Sequence, residues 1–185
     1  MIGGSEGLCV PGGRAPAQVP RRLRLRGALA AAALLGPALV GAGPDGSGET
    51  VPLAGNEPGQ RLDVTLVRVV DPASPAGPQG PQGPAPDDST RLLAARFRLE
   101  NTGTVDYNES PAAAAHLLDT AGKRFAGLNT ATTAGPSFPD TVTLSPGGSA
   151  EGFVTFRIPK DAGLAAVQFA LNGGLADDVG QWSLP

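Results

Sequence analysis

The chain has 185 residues, with 27 glycines, 19 prolines and a formal net charge of −3. Its length suits one ordinary domain, and an apolar fraction of 41% suffices for a core, whereas the glycine and proline content predicts flexible segments beside that core. The sequence contains one histidine, one cysteine and one methionine. These are too few side chains for most metal sites, redox sites and catalytic triads.

An export signal is predicted near the start of the chain. Four arginines between residues 21 and 26 precede an uncharged stretch of 16 residues, Gly27–Ala42. This order of a basic and an apolar region is typical of a secretory signal peptide, and Val40 and Ala42 favour cleavage after Ala42. A spanning helix needs about 20 strongly apolar residues. We therefore predict a secreted protein, with membrane anchoring through residues 27–42 as the alternative.

Removal of residues 1–42 changes the charge balance. The remaining chain has nine basic and 16 acidic side chains, a net charge of −7, and no cysteine. Because binding to nucleic acid depends on neutralising phosphates with basic groups, no nucleic acid partner is expected. We also expect no membrane insertion of this mature chain and no disulfide.

The first predicted strand follows a linker. Residues 43–60 are rich in glycine, proline and polar residues and are predicted to be a linker, and residues 61–185 to be the folded domain. Leu62, Val64 and Leu66 alternate with polar residues, which predicts a strand that reaches Val70. Residues 71–90 contain three Gly-Pro-X triplets and are predicted to be a mobile, proline-rich loop.

The clearest strand is Arg91–Glu100, with alternate apolar residues on one face. It ends at Asn101–Gly103, a turn whose residue types favour a positive φ. Further strands are predicted at Ala114–Leu118, Arg124–Leu128, Thr141–Leu144, Gly152–Ile158 and Ala165–Leu171, with Trp182 near the end. Seven or eight short strands without a helical period predict an all-β, antiparallel sandwich. Long loops favour this sandwich over a closed barrel.

Three segments carry a resemblance to a known family. The strand and turn Ala95–Gly103, the hairpin Leu118–Phe125, and the Leu144–Gly148 turn followed by Gly152–Pro159 occur in an order that resembles a bacterial, notably actinobacterial, secreted family of unknown function. That family is related to the mycobacterial secreted immunoprotective antigen. The resemblance covers residues 62–171 and implies an immunoglobulin-like β-sandwich behind a signal peptide or a lipid anchor.

The resemblance implies no activity. Some relatives carry a telomeric repeat-binding label, which conflicts with the acidic charge of this chain. A lipid anchor needs a cysteine directly after the apolar region, and this sequence has none there. Release from the cell is therefore expected rather than lipid anchoring.

No catalytic, metal or cofactor site is predicted. His116, the single histidine, lies in a predicted strand and is expected to be a half-buried structural residue, because catalysis requires a nucleophile and an orienting acid beside it. The paired carboxylates Asp87-Asp88 and Asp177-Asp178 lack the Asp-x-Asp-x-Asp spacing of a calcium loop and are expected to be solvated.

A binding surface is the remaining prediction. Arg96 and Arg98 share the outer face of one strand, and Phe153 lies on the same kind of face of another, which is typical of a protein-binding sheet. For Phe153 itself, packing under a loop is the favoured interpretation, and exposure on the sheet face is the alternative. Tyr107, the single tyrosine, lies in a predicted loop and is a further candidate. The expected function is a non-enzymatic module that binds a protein or an envelope component; a small-solute or ion-binding accessory protein is the alternative.

Overall fold

A computed structural model describes residues 48–77 and 87–185. The predicted signal peptide and cleavage site lie outside these residues. The described residues form ten strands and two four-residue helices: β1 Thr50–Ala54, β2 Arg61–Ala73, β3 Thr90–Asn101, β4 Tyr107–Glu109, α1 Pro111–Ala114, β5 Ala115–Asp119, β6 Arg124–Leu128, β7 Val142–Leu144, β8 Ser149–Pro159, β9 Leu164–Ala170, α2 Leu171–Gly174 and β10 Val179–Ser183. The prediction of an all-β protein is confirmed.

The strands form two antiparallel sheets. The larger has eight strands in the order β1-β2-β3-β8-β6-β5-β9-β10, and the smaller pairs β4 with β7. Strand β6 is shared, since its first residues pair with β5 whereas Gly127 and Leu128 pair with β8. The larger sheet therefore folds back on itself at β6. Strands β1-β2-β3-β8 form one layer, and strands β5-β9-β10 form the other.

Aromatic side chains join the two layers of this sandwich. The ring centroid of Phe97 on β3 lies 5.5 Å from that of Phe169 on β9 and 5.9 Å from that of Trp182 on β10. All three side chains are fully buried. Alternate residues of β2, β3 and β8 complete the core, because every second side chain of a strand points to the same face.

The predicted linker contains a strand. Residues 50–54 form β1, which pairs with the first five residues of β2. The linker prediction is wrong here, and the reason is tertiary: Leu53 is buried in the core, and the indole Nε1–H of Trp182 donates to the backbone oxygen of Glu49 over 2.9 Å. Pro52 is tolerated because β1 is an edge strand and one side of its backbone needs no partner.

Hydrogen bonds of the Asn101 side chain connect the turn that follows β3 with the end of β7. Its side-chain Nδ2–H donates to the backbone oxygens of Val105 and Leu144 over 2.9 and 2.8 Å, and its Oδ1 accepts from Gly103 N–H over 3.0 Å. The predicted positive φ is not found at Gly103. Glycine is needed there for close approach instead, since a Cβ atom would lie 2.2 Å from the backbone oxygen of Gly59.

Candidate functional site

The outer face of the β1-β2-β3-β8 layer carries the predicted arginines. On β3, Arg96 lies opposite Phe153 of β8, and Arg98 lies opposite Glu151 of β8 and Thr65 of β2. Residues two apart on a strand share a face, so these side chains project from one side of the layer. The sequence prediction placed Arg96, Arg98 and Phe153 on this same face correctly.

Both arginines contact carboxylates. Arg96 Nε lies 2.8 Å from Glu151 Oε1, and Arg98 Nη2 lies 3.7 Å from Glu100 Oε2. All four side chains are more than a third exposed to solvent, so each pair adds only about 0–1 kcal/mol to stability. The charges therefore shape the surface more than they stabilise the fold.

An open groove of about 430 Å³ runs along this outer face. Arg98 lies in it among three carboxylates, and the hydroxyls of Thr50 and Thr65 are 2.7 Å apart on its wall. The groove is lined by Gly48, Thr50, Asp63, Thr65, Val67, Arg98, Glu100 and Glu151. We call it the sheet-face groove. It offers hydrogen bonds and ion pairs to a partner, and its flanking side chains are acidic overall.

Phe153 does not belong to the exposed surface. Only 2% of it is accessible, because the segment between β6 and β7 crosses the outer face above it. Phe153 N–H donates to the backbone oxygen of Pro136 over 3.0 Å, and its own backbone oxygen accepts from Phe138 N–H. The Arg68 guanidinium lies 5.6 Å from the ring centroid. The favoured interpretation, that Phe153 packs under a loop, is thus confirmed, and its assignment to an exposed binding surface is wrong.

Tyr107 is also buried rather than exposed. It begins β4, lies opposite Leu144 of β7 and is 6% accessible. Burial, and to a lesser degree the charge of Glu109, raises the pKa of the Tyr107 hydroxyl well above its ordinary value. That hydroxyl has no hydrogen-bond partner among the described residues. The prediction of a loop tyrosine on the surface is wrong, because a three-residue strand pairs there.

His116 lies on β5 opposite Gln168 of β9 and Ala126 of β6. Partial burial, and then the charge of Arg124, lowers the pKa of its imidazole, so the neutral form is favoured near neutral pH. The side chain is half-buried, as predicted. Within residues 48–77 and 87–185, no group of three or more His, Cys, Asp and Glu side chains is arranged to hold a metal ion.

Sequence reasoning missed a second surface, at the end of the sandwich where β1 meets β2. Three segments meet there, residues 55–60, 102–106 and 171–178, and we call this surface the loop end. Of the three exposed large apolar side chains of the described residues, Val105 and Leu175 lie in these segments, and Val179 follows directly at the start of β10. A signal was present in the sequence, since Leu175 follows two glycines and precedes Asp177-Asp178.

Among the described residues, no helix has the length and apolar character needed to cross a bilayer.

Solved structures of similar fold come from several bacteria. The secreted protein MPT63 of Mycobacterium tuberculosis is 14% identical with a TM-score of 0.50, covering 74% of this chain and 92% of its own. The candidate lipoprotein ycdA of Bacillus subtilis is 12% identical with a TM-score of 0.50, covering 71% of this chain and 38% of its own. The yjhA protein of Bacillus subtilis is 16% identical with a TM-score of 0.49, covering 75% and 98%.

The similarities to MPT63 and ycdA show the fold alone, and no curated protein matches the chain. The predicted kinship with a family of unknown function that shares its fold with a mycobacterial secreted protein is confirmed. The actinobacterial origin and the telomeric label of relatives stay predictions. Residues 60–175 match the model described as "Domain of unknown function (DUF4352)". Because this match spans more than half of the sequence, the chain belongs to the DUF4352 family.

Proposed function

We propose that this protein is an exported, non-enzymatic binding module that recognises another protein or a component of the cell envelope through the sheet-face groove. The observation that carries the proposal is the exposed Arg98 guanidinium among the carboxylates of Asp63, Glu100 and Glu151 on an open sheet face. Arginine is enriched at the centres of protein interfaces, where its planar group forms several hydrogen bonds at once.

The shape of the groove favours a macromolecular partner. Small-molecule sites are usually concave and mostly apolar, with a few polar groups that fix orientation. The sheet-face groove is open and its lining is dominated by charged and hydroxyl-bearing side chains. Its volume of about 430 Å³ does support the alternative, a small polar solute bound by an accessory protein.

Binding rather than catalysis is supported by the chemistry of the groove. Its titratable side chains are carboxylates and one arginine, and the hydroxyls on its wall belong to threonines that contact each other. A nucleophile needs an adjacent general base to become active. His116, the sole histidine, lies on β5 in the opposite layer.

Export is supported by the predicted signal peptide. MPT63 is described as a secreted protein, and ycdA as a candidate lipoprotein. Both share the fold of this chain.

Charge reversal tests the proposed site. Arg98→Glu is expected to weaken capture of the partner from envelope and culture fractions of the native host about tenfold, since an interface arginine is replaced by a like charge beside Glu100. Lys160→Glu is the matched control, because this exposed lysine follows the far end of β8. Binding is measured by quantitative mass spectrometry of the captured proteins.

An equal loss of captured partner in both variants would show that net charge causes the effect. Unchanged capture by Arg98→Glu would contradict a role of the sheet-face groove in binding. The denaturation curve of Lys160→Glu is expected to match that of the natural protein, since the side chain is exposed. Arg98→Glu is expected to lower the free energy of unfolding by about 1 kcal/mol, because the new carboxylate lies opposite Glu151.

A further inference from the structure

Hydrogen bonds connect the three segments of the loop end to one another. Asn56 N–H donates to Asn172 Oδ1 over 2.8 Å, and Ala54 N–H donates to Asp178 Oδ2 over 2.9 Å. Thr104 N–H donates to the backbone oxygen of Gly59 over 2.9 Å. These bonds connect chain segments that are far apart in sequence, so the loop end is one continuous, ordered surface.

Apolar side chains are concentrated on this surface. Val105, Leu175 and Val179 are 39%, 81% and 44% accessible. Val105 lines the same small cavity as Leu171, whose backbone oxygen accepts from Leu175 N–H over 3.2 Å. Single exposed apolar residues are common, but a group of them rimmed by polar side chains marks an interaction surface.

A turn with left-handed backbone angles precedes the exposed Leu175. Asn172, Gly173 and Gly174 have φ angles of 56°, 64° and 84°, in the left-handed region that asparagine and glycine tolerate best. The turn is fixed from both sides, since Gly173 N–H donates to Glu109 Oε2 over 3.1 Å and the Asn172 side chain contacts Gln60. The exposure of Leu175 is therefore built into the fold and costs little ordering when a partner binds.

The rim of the loop end is acidic. Glu57, Asp106, Asp177 and Asp178 are exposed around the apolar residues, and Arg61, at the start of β2, is the basic residue beside them. Below this rim, Tyr107 lines a cavity of about 10 Å³ with Val105 and Asp106, and its buried hydroxyl has no partner among the described residues.

We propose that the loop end docks a segment of a partner protein in which lysine or arginine alternates with aliphatic side chains. The aliphatic groups would cover Leu175 and Val105, and the basic groups would face the carboxylates of Asp106 and Asp177. Charge complementarity selects this occupant, because an anionic membrane surface or a nucleic acid would be repelled by the same carboxylates. This surface is separate from the sheet-face groove.

Designed peptides test this proposal on the full chain. A fluorescent peptide of alternating lysine and leucine is expected to bind in an anisotropy titration, and affinity is expected to fall as salt is raised. Leu175→Ser and Asp177→Asn are each expected to weaken binding about tenfold, because they remove the apolar anchor and one rim charge. Asp161→Asn, which neutralises an exposed carboxylate between β8 and β9 away from both surfaces, is the matched control and is expected to bind as the natural protein does.

Three outcomes would overturn the proposal. The first is no binding of the lysine–leucine peptide, and the second is equal binding of a glutamate–leucine peptide or a lysine–serine peptide, because the surface would then lack charge or apolar selectivity. The third is an equal loss in Asp161→Asn. Capture by Arg98→Glu is measured separately, so failure of the loop end and failure of the sheet-face groove are distinguishable.

Discussion

At the scale of single residues, Asn101 has a structural role in the Asn-Thr-Gly turn. Its side chain is 1% accessible and makes three hydrogen bonds to backbone groups, two in the turn that follows β3 and one at the end of β7. Its backbone adds two more, from Asn101 N–H to Gly148 and from Gly147 N–H to Asn101. The buried Asn101 side chain therefore positions the loop end rather than forming part of its exposed surface.

Replacement of Asn101 by alanine is expected to lower the free energy of unfolding by about 2–3 kcal/mol, because the backbone oxygens of Val105 and Leu144 lose their donor. Urea denaturation followed by tryptophan fluorescence measures the change. Thr102→Ala, at an exposed neighbour, is the control and is expected to lie within about 0.5 kcal/mol of the natural protein. A similarly small effect in Asn101→Ala would contradict the assigned role.

At the scale of elements, the two end strands of the larger sheet meet without a backbone ladder. β1 and β10 are connected by the side chain of Trp182, which donates to Glu49, and by Asp178, which accepts from Ala54. Side chains thus provide the contacts that a row of backbone hydrogen bonds would provide in a closed barrel. β1 is bound to the fold through β2 on one side and through these two side chains on the other.

Trp182→Phe is expected to lower the free energy of unfolding by about 1–3 kcal/mol, since the indole hydrogen bond and part of the ring volume are lost in a fully buried site. Circular dichroism during urea denaturation measures this, because the variant contains no tryptophan. Ser183→Ala, exposed on the same strand, serves as the comparison. Equal stability of the two variants would mean that Trp182 does not stabilise the contact between β1 and β10.

Sequence patterns located most of the strands and missed β1 and β4. β2, β3 and β8 are long and each contains a run in which apolar residues alternate with polar ones, so they were predictable. β4 has three residues and β1 contains a proline, so neither gives a local signal. The burial of Phe153 could not be predicted from the pattern of its own strand, because it is the segment after β6 that covers the outer face. The loop end depends in the same way on contacts between distant segments.

At the scale of the whole molecule, the folded domain is acidic and free of cysteine after residue 42. A domain without disulfides depends on its core for stability wherever it is located. The described residues supply such a core, in which both layers contribute fully buried side chains. This architecture is compatible with export, and the predicted cleavage after Ala42 is open to a direct measurement.

The intact mass of the protein from native host cultures is expected to correspond to a chain that begins at Gly43 and is found in the medium. A small residue at Ala42 and the basic residues before Gly27 favour this processing. A membrane-bound product that retains residues 21–42 would contradict it and favour the anchored alternative. The partner of the sheet-face groove would then be sought at the cell surface.

The pairing of β3 with β8 has a consequence for local opening. These strands are matched from Thr90–Pro159 to Glu100–Ser149, and part of their outer face is covered around Phe153 as well as the inner one. Amides in this pair can therefore exchange with solvent only when most of the domain opens. Amides of β1 and of the loop end can exchange through smaller fluctuations. Binding at the loop end would thus act on a less protected part of the fold while the central pair stays closed, whereas binding at the sheet-face groove would act on the central pair itself.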